Sequence, residues 1–122
     1  MYTYLATAVR VVDGDTLVLD IDLGFGVWRH QQVIRLIGCN AIEVKEPGGE
    51  EARANLASLL PAGTEVTVTS VKVDKFGPRY DAAVTLADGR DLVSVLVAGQ
   101  WAAHWNGRGP RPFPPWPRRV AR

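Results

Sequence analysis

Five strand-like segments, with one helix between the third and the fourth, predict a mainly β protein with some α. The expected architecture is a five-stranded Greek-key barrel, the OB-fold, with two to three helices. Three observations lead there. Apolar and polar residues alternate with the period of two that a half-buried strand requires. Turns rich in aspartate and glycine separate the alternating runs. A stretch of helical period interrupts the strand series only once before its last member. A small antiparallel sheet packed on helices would give a similar order, so order alone does not decide between them. The chain of 122 residues is expected to form one core.

The elements follow in order. "YLATAVRVV" (4–12) is rich in apolar and β-branched residues and reads as the first strand, and "DGDT" (13–16) is the turn after it. "TLVLDID" (16–22) is the second strand, with Asp20 and Asp22 on one parity. "LGFGV" (23–27) is a glycine-bearing turn. "WRHQQVIRLIG" (28–38) is a third strand, polar and then buried, and "VIRLIGCNAIE" (33–43) carries it into a loop. "GGEEARANLASLL" (48–60) is a helix with acids in its first turn and Ala52, Leu56, Leu59 and Leu60 as its apolar stripe. "TEVTVTSVKV" (64–73) and "RYDAAVTLA" (79–87) are the fourth and fifth strands. "DLVSVLVAG" (91–99) is a short helix, with Asp91 as N-cap and Gly99 at its end.

Composition narrows the function classes. Charged residues make up 22% and hydrophobic ones 47%, the balance of an ordinary globular chain. No apolar run reaches the ~18 residues of a membrane span, and no secretory signal is visible, so a cytoplasmic protein without membrane contact is expected. The single cysteine, Cys39, excludes an internal disulfide and reads as a small buried apolar residue. The net charge of +1 hides an asymmetry. Residues 1–105, the expected barrel domain, carry nine Lys/Arg and thirteen Asp/Glu. Residues 106–122 carry five arginines, no acid and five of the eight prolines. Prolines lack the amide donor and fix φ, so this segment is expected to be an extended basic arm. Such an arm suits phosphate backbones, or a protein partner docked through residues 106–122. Whether it packs on the domain through Phe113 and Trp116 or stays free is left open by the sequence.

Three polar clusters interrupt apolar surroundings: Asp13 with Asp15, Arg35 through Glu43, and "DKFGPRY" (74–80). Each has a plain structural explanation. Asp-Gly turns bond their own backbone, Arg35 and Glu43 can form an ion pair, and the third cluster can be a solvated hairpin loop. Together they hold the parts of phosphodiester hydrolysis. The planar fork of arginine binds two phosphoryl oxygens at once. Carboxylate and carbonyl oxygens suit a hard divalent cation. A further carboxylate orients or deprotonates water. Asp15, Arg35, Glu43 and Arg79 supply this set from strand ends and loops.

The stretches "VVDGDTLVL" (11–19), "IRLIGCNAIE" (34–43), "GGEEARANLASLL", "DKFGPRY" and "LADGRDLVSVLVAGQWA" (86–102) follow one another as in the staphylococcal nuclease-like (thermonuclease) family, which the chain resembles over roughly residues 5–105. The resemblance implies an OB-fold and calcium-dependent cleavage of DNA or RNA. By position, it implies Asp15 as a calcium ligand beside Asn40 and the backbone carbonyl of Ala41, and Asp13 as an acid behind them. Arg35 and Arg79 take the place of the two phosphate-binding catalytic arginines, and Glu43 that of the residue holding the attacking water. Lys75 and Phe76 become substrate contacts, Phe76 through base stacking. The family's "D-T-P-E" stands here as "N-A-I-E" (40–43). Asn40 offers an oxygen without a charge, and a unit charge pair at ~4 Å is worth about 4 kcal/mol at an effective dielectric of about 20 before desolvation. A weaker calcium site is therefore expected. Pro78 stands between Gly77 and Arg79, where the family runs directly from glycine to arginine.

Two function classes follow: a metal-dependent nuclease, and a non-catalytic OB-fold module that binds nucleic acid or joins an assembly through its arm. His30 and His104 have no ligand set near them in sequence. Trp101 and Trp105, at the end of the last helix, are expected in the core.

Overall fold

The computed structural model describes residues 2–74 and 78–114, apart from the side chains of Ser70 and Val71. Its elements in chain order are β1 (Thr3–Asp13), β2 (Thr16–Gly24), β3 (Val27–Leu36), β4 (Cys39–Ala41), α1 (Gly49–Leu59), β5 (Glu65–Val73), β6 (Tyr80–Leu86), α2 (Leu92–Ala98) and β7 (Ala102–His104). Strands β1, β2, β3, β6 and β5 hydrogen-bond in that order into a closed barrel, while β4 and β7 form a separate ladder. This is the expected OB-fold architecture, with two helices.

Closure depends on β1 and on the β3–β6 seam. The first half of β1 pairs with β5 and its second half with β2, and bulges between Ala8 and Arg10 and between Val11 and Asp13 bend it around the corner. The seam is parallel and short, with Ile34 opposite Tyr80, Arg35 opposite Asp81 and Leu36 opposite Ala82. Inward residues of one parity fill the barrel: Leu17, Leu19, Ile21, Ile34, Leu36, Val66, Val68, Ala82 and Val84. Leu56, Leu60, Leu92 and Leu96 join the same core from the helices and their ends. Burying each of the valine, leucine and isoleucine side chains contributes about 1.5–3 kcal/mol.

Helix α1 has Glu50 and Glu51 in its first turn and no side-chain cap; Gly48, at φ 89°, turns the chain into it. Its buried Ala52 packs so closely on the β1–β2 turn that a Cβ on Gly14 would come within 2.9 Å of the Ala52 Cβ. Helix α2 starts as expected, with the Asp91 carboxylate accepting from the Ser94 amide at 3.0 Å.

The stretch 33–43 departs from its expectation. The third strand does not run into a loop. Gly38, at φ 88°, turns the chain, and Cys39–Ala41 then form a second strand paired with β7. The Trp105 amide donates to the Gly38 carbonyl at 2.9 Å and extends that ladder. Segments as short as "CNA" and "AAH" hold too few residues for an alternation to be read. Cys39 is buried and unpaired, as expected, and its burial pushes the thiol up to about 12. Among the described residues, no helix is long and apolar enough to cross a membrane.

Candidate functional site

The parallel seam builds the site. Ile34 and Leu36 point into the barrel, so Arg35 between them must point outward. Its register partners are Thr16 on β2 and Asp81 on β6, and Lys72 on β5 lies opposite Asp81. A row of Thr16, Arg35, Asp81 and Lys72 thus crosses four neighbouring strands.

Arg35 is firmly held. Its Nη1 donates to the carbonyls of Leu36 at 2.6 Å and Cys39 at 3.3 Å, and its Nη2 lies 3.5 Å from Asp15 Oδ2. Asp15 is buried behind it and accepts from the Thr16 hydroxyl at 3.1 Å and the Ala41 amide at 3.0 Å. Burial raises the Asp15 carboxyl above its ordinary range, more than Arg35, the Ala41 amide and the Thr16 hydroxyl lower it. The Ala41 amide therefore ties β4 directly to the β1–β2 turn.

Asp13 acts on the next loop: its Oδ1 accepts from the Val44 amide at 2.8 Å. Glu43 is also held by its own loop, its amide donating to Glu46 Oε1 at 3.2 Å and its carbonyl accepting from the Glu46 amide at 2.9 Å. Its carboxylate is half-exposed and meets Arg111 at 3.9 Å. The structural ion pair conceivable between Arg35 and Glu43 does not form among the described residues: Arg35 pairs with Asp15, and Glu43 with Arg111.

Arg79 lies 3.2 Å from Asp74, and the Asp74 amide donates to the Arg79 carbonyl at 2.8 Å, closing the base of the loop between β5 and β6. Lys75 and Phe76 lie outside the described residues. A cleft of about 270 Å³ opens over this face. Arg35, Lys72, Arg79 and Arg111 bring cations to it, Asp74 and Asp81 bring carboxyls, and Trp105 brings a ring. Of the residues singled out in the sequence, Arg35 and Arg79 line the cleft, Glu43 stands at its edge through Arg111, and Asp15 lies behind Arg35.

Three of these lining residues, Lys72, Asp81 and Trp105, had no signal as site residues in the sequence, and Arg111 was marked only as part of the basic arm. Lys72 and Asp81 enter through strand register, which the sequence does not print. Trp105, expected in the core, instead lines the cleft; its Nε1 donates to the Arg108 carbonyl at 2.9 Å. Arg111 stacks over that ring at 5.8 Å. The first part of the C-terminal segment is therefore packed rather than free. The Asn40 side-chain amide donates to the Pro112 carbonyl at 3.0 Å, and Pro114 is buried. Phe113 is 52% exposed, so it is not the anchor, and Trp116 lies outside the described residues. His30 pairs with Asp20 at 3.3 Å and stacks on Trp28.

The oxygen donors beside β4 fit calcium in kind, because Asp15, the Asn40 amide and the Ala41 carbonyl are all hard ligands. They fit it weakly in charge, since Asp15 is the one carboxylate among them. No group of three His, Cys, Asp or Glu stands close enough to hold a metal among the described residues. No family model and no curated protein matches the chain.

Proposed function

We propose that the chain is a thermonuclease-like phosphodiesterase that cleaves the backbone of DNA or RNA with calcium. The observation that carries this reading is the convergence of Arg35, Lys72, Arg79 and Arg111 on one cleft of an otherwise acidic barrel. Such a cleft selects an anion of repeating charge, and arginine forks suit the paired oxygens of a phosphodiester.

The roles follow from position. Arg35, fixed by two carbonyls and Asp15, is preorganised to hold a phosphoryl oxygen, and Arg79 takes a second from across the cleft. Glu43, whose backbone is held by Glu46 and by Asp13 through the Val44 amide, would orient and deprotonate water with its carboxylate once Arg111 moves off it. Arg111 rests on Glu43 and is close enough to exchange that partner for a substrate phosphate. Asp15, Asn40 and the Ala41 carbonyl would hold calcium, which supplies Lewis-acid polarisation of the phosphoryl group. With one charged ligand among them, binding needs the substrate phosphate as a further ligand.

One observation favours a second reading, a non-catalytic OB-fold module docked through its arm: Pro112 takes the Asn40 amide and Arg111 takes Glu43, so the arm occupies two of the residues catalysis needs. Incubation of single-stranded DNA and of RNA with the protein separates the two. Cleavage is expected at millimolar calcium, lost with chelator and lost in Glu43→Ala. Asn40→Asp, which restores a charge, is expected to lower the calcium concentration required. Absence of cleavage at millimolar calcium, or cleavage that survives Glu43→Ala unchanged, sinks the nuclease reading.

A further inference from the structure

Cleavage of a phosphodiester needs a proton for the oxygen that leaves, and the roles given above to Arg35, Arg79, Glu43 and Asp15 supply none. We propose that Asp81 is the general acid of the cleft, passing the proton of its carboxyl to the leaving oxygen. The inference rests on the phosphodiesterase reading above.

Asp81 sits in the middle of the cationic row, opposite Arg35 on one side and Lys72 on the other, and it lines the cleft. Its side chain is 15% exposed, and its Oδ1 is buried with no hydrogen-bond partner among the described residues. Its carboxyl meets that of Asp74 in a side-chain hydrogen bond. A carboxyl beside a second carboxyl ionises less readily than a lone one, so Asp81 keeps its proton to a higher pH than an ordinary aspartate. The groups facing Asp81 are Lys72 and Asp74 from β5 and its end, Arg35 from β3, Arg79 from the approach to β6, and Arg111 from the C-terminal segment. Burial first, and then Asp74, push the Asp81 carboxyl up to about 6, against the pull of Lys72 and Arg35. A carboxyl of that strength gives up its proton readily near neutral pH and recovers it from solvent.

The step balances without any change of oxidation state. The oxygen of water bonds to phosphorus as the bond from phosphorus to the leaving oxygen breaks. The proton of water passes to Glu43, and the proton of Asp81 passes to the leaving oxygen. Glu43 then releases its proton to solvent while Asp81 takes one up.

The test uses oligonucleotides with one linkage in which sulfur replaces the leaving oxygen, beside the ordinary linkage, at millimolar calcium. The position of the sulfur is chosen from the wild-type products. A thiolate leaves without a proton, so it needs no general acid. Asp81→Asn is expected to slow single-turnover cleavage of the oxygen linkage by about a hundredfold or more and of the sulfur linkage by less than about threefold. Asp81→Ala is expected to repeat the split, which a merely misfolded or mispositioned variant cannot produce. Equal losses on both linkages, or an unchanged rate on oxygen, overturn the role of Asp81 and leave the phosphodiesterase reading standing. A wild-type protein that cleaves neither linkage overturns both.

Discussion

Asp15 and Asp81 are carboxyls raised by burial above their ordinary range, and each leans on Arg35. They differ in company. Asp15 is surrounded by donors, the Arg35 guanidinium, the Ala41 amide and the Thr16 hydroxyl, which soften the cost of its charge. Asp81 faces a second carboxyl, Asp74, which adds to that cost. The consequence for stability has a definite sign. The folded Asp81 holds its proton up to about 6, whereas the unfolded one releases it near 3.8. Between those values the folded chain binds more protons, so its stability falls as pH rises through that window, and the loss persists above it. Asp81→Asn cannot ionise and escapes the penalty. The variant is expected to melt higher than the wild type at pH ~7 and to approach it at pH ~4, as linkage requires. Calorimetry at the two pH values checks this, and an offset independent of pH would show that Asp81 carries no such penalty. At this scale Arg35 and Glu43 were legible because a charge amid apolar residues must have a partner. Asp81 was not, because "RYDAAVTLA" reads as any half-exposed strand until its neighbours are known.

At the scale of elements, the loop joining β4 to α1 sets the position of Glu43. It is a compact backbone turn, with Glu46 bonded back to Glu43 and the Gly49 amide donating to the Glu46 carbonyl at 2.8 Å. Gly49 has no room for more: a Cβ there would run into the carbonyl of Glu43. The obstacle is backbone, so it cannot be relieved by a rotamer change. Gly49→Ala is expected to destabilise the fold by about 1–3 kcal/mol, the usual cost of overpacking. It is also expected to lower cleavage, because Glu43 must move with its carbonyl. Urea unfolding and cleavage assays on the same preparation check both halves, and a variant with wild-type stability would mean the loop yields freely. The strands, both helices and the Asp91 cap were legible because their signals are local: a period of two, a period of 3.6, and a cap before an apolar run. The β4–β7 ladder was not. Its pairing joins Asn40 to Ala103 and Ala41 to Ala102 across most of the chain, and neither strand has the length to announce itself.

At the scale of the whole molecule, the barrel and the C-terminal segment carry opposite charge. Residues 1–105 hold nine cations against thirteen acids, and residues 106–122 hold five arginines and no acid. A chain of nucleic acid approaching the barrel alone therefore meets a net negative charge, with Arg35, Lys72 and Arg79 gathered at the cleft. The segment changes that field and also reaches into the site, since Arg111 lines the cleft and touches Glu43. Its composition announced the charge in the sequence, but its seat on Asn40 did not, because that contact is made by the carbonyl of Pro112, which any residue has. Removal of residues 106–122 thus has two opposed consequences: the loss of phosphate-binding charge, and the release of Glu43 and Asn40. The first governs binding, because released counterions set affinity for single strands, with a slope of about −0.7 per phosphate neutralised. The shortened chain is expected to bind a fluorescent single-stranded oligonucleotide more weakly at low salt. Its affinity should depend less steeply on salt, and the two proteins should converge as salt rises. Arg111→Gln in the full chain should reproduce about one phosphate's share of the slope. If truncation leaves both affinity and slope unchanged, the segment takes no part in holding nucleic acid, and its contacts with Glu43 and Asn40 then serve to close the cleft.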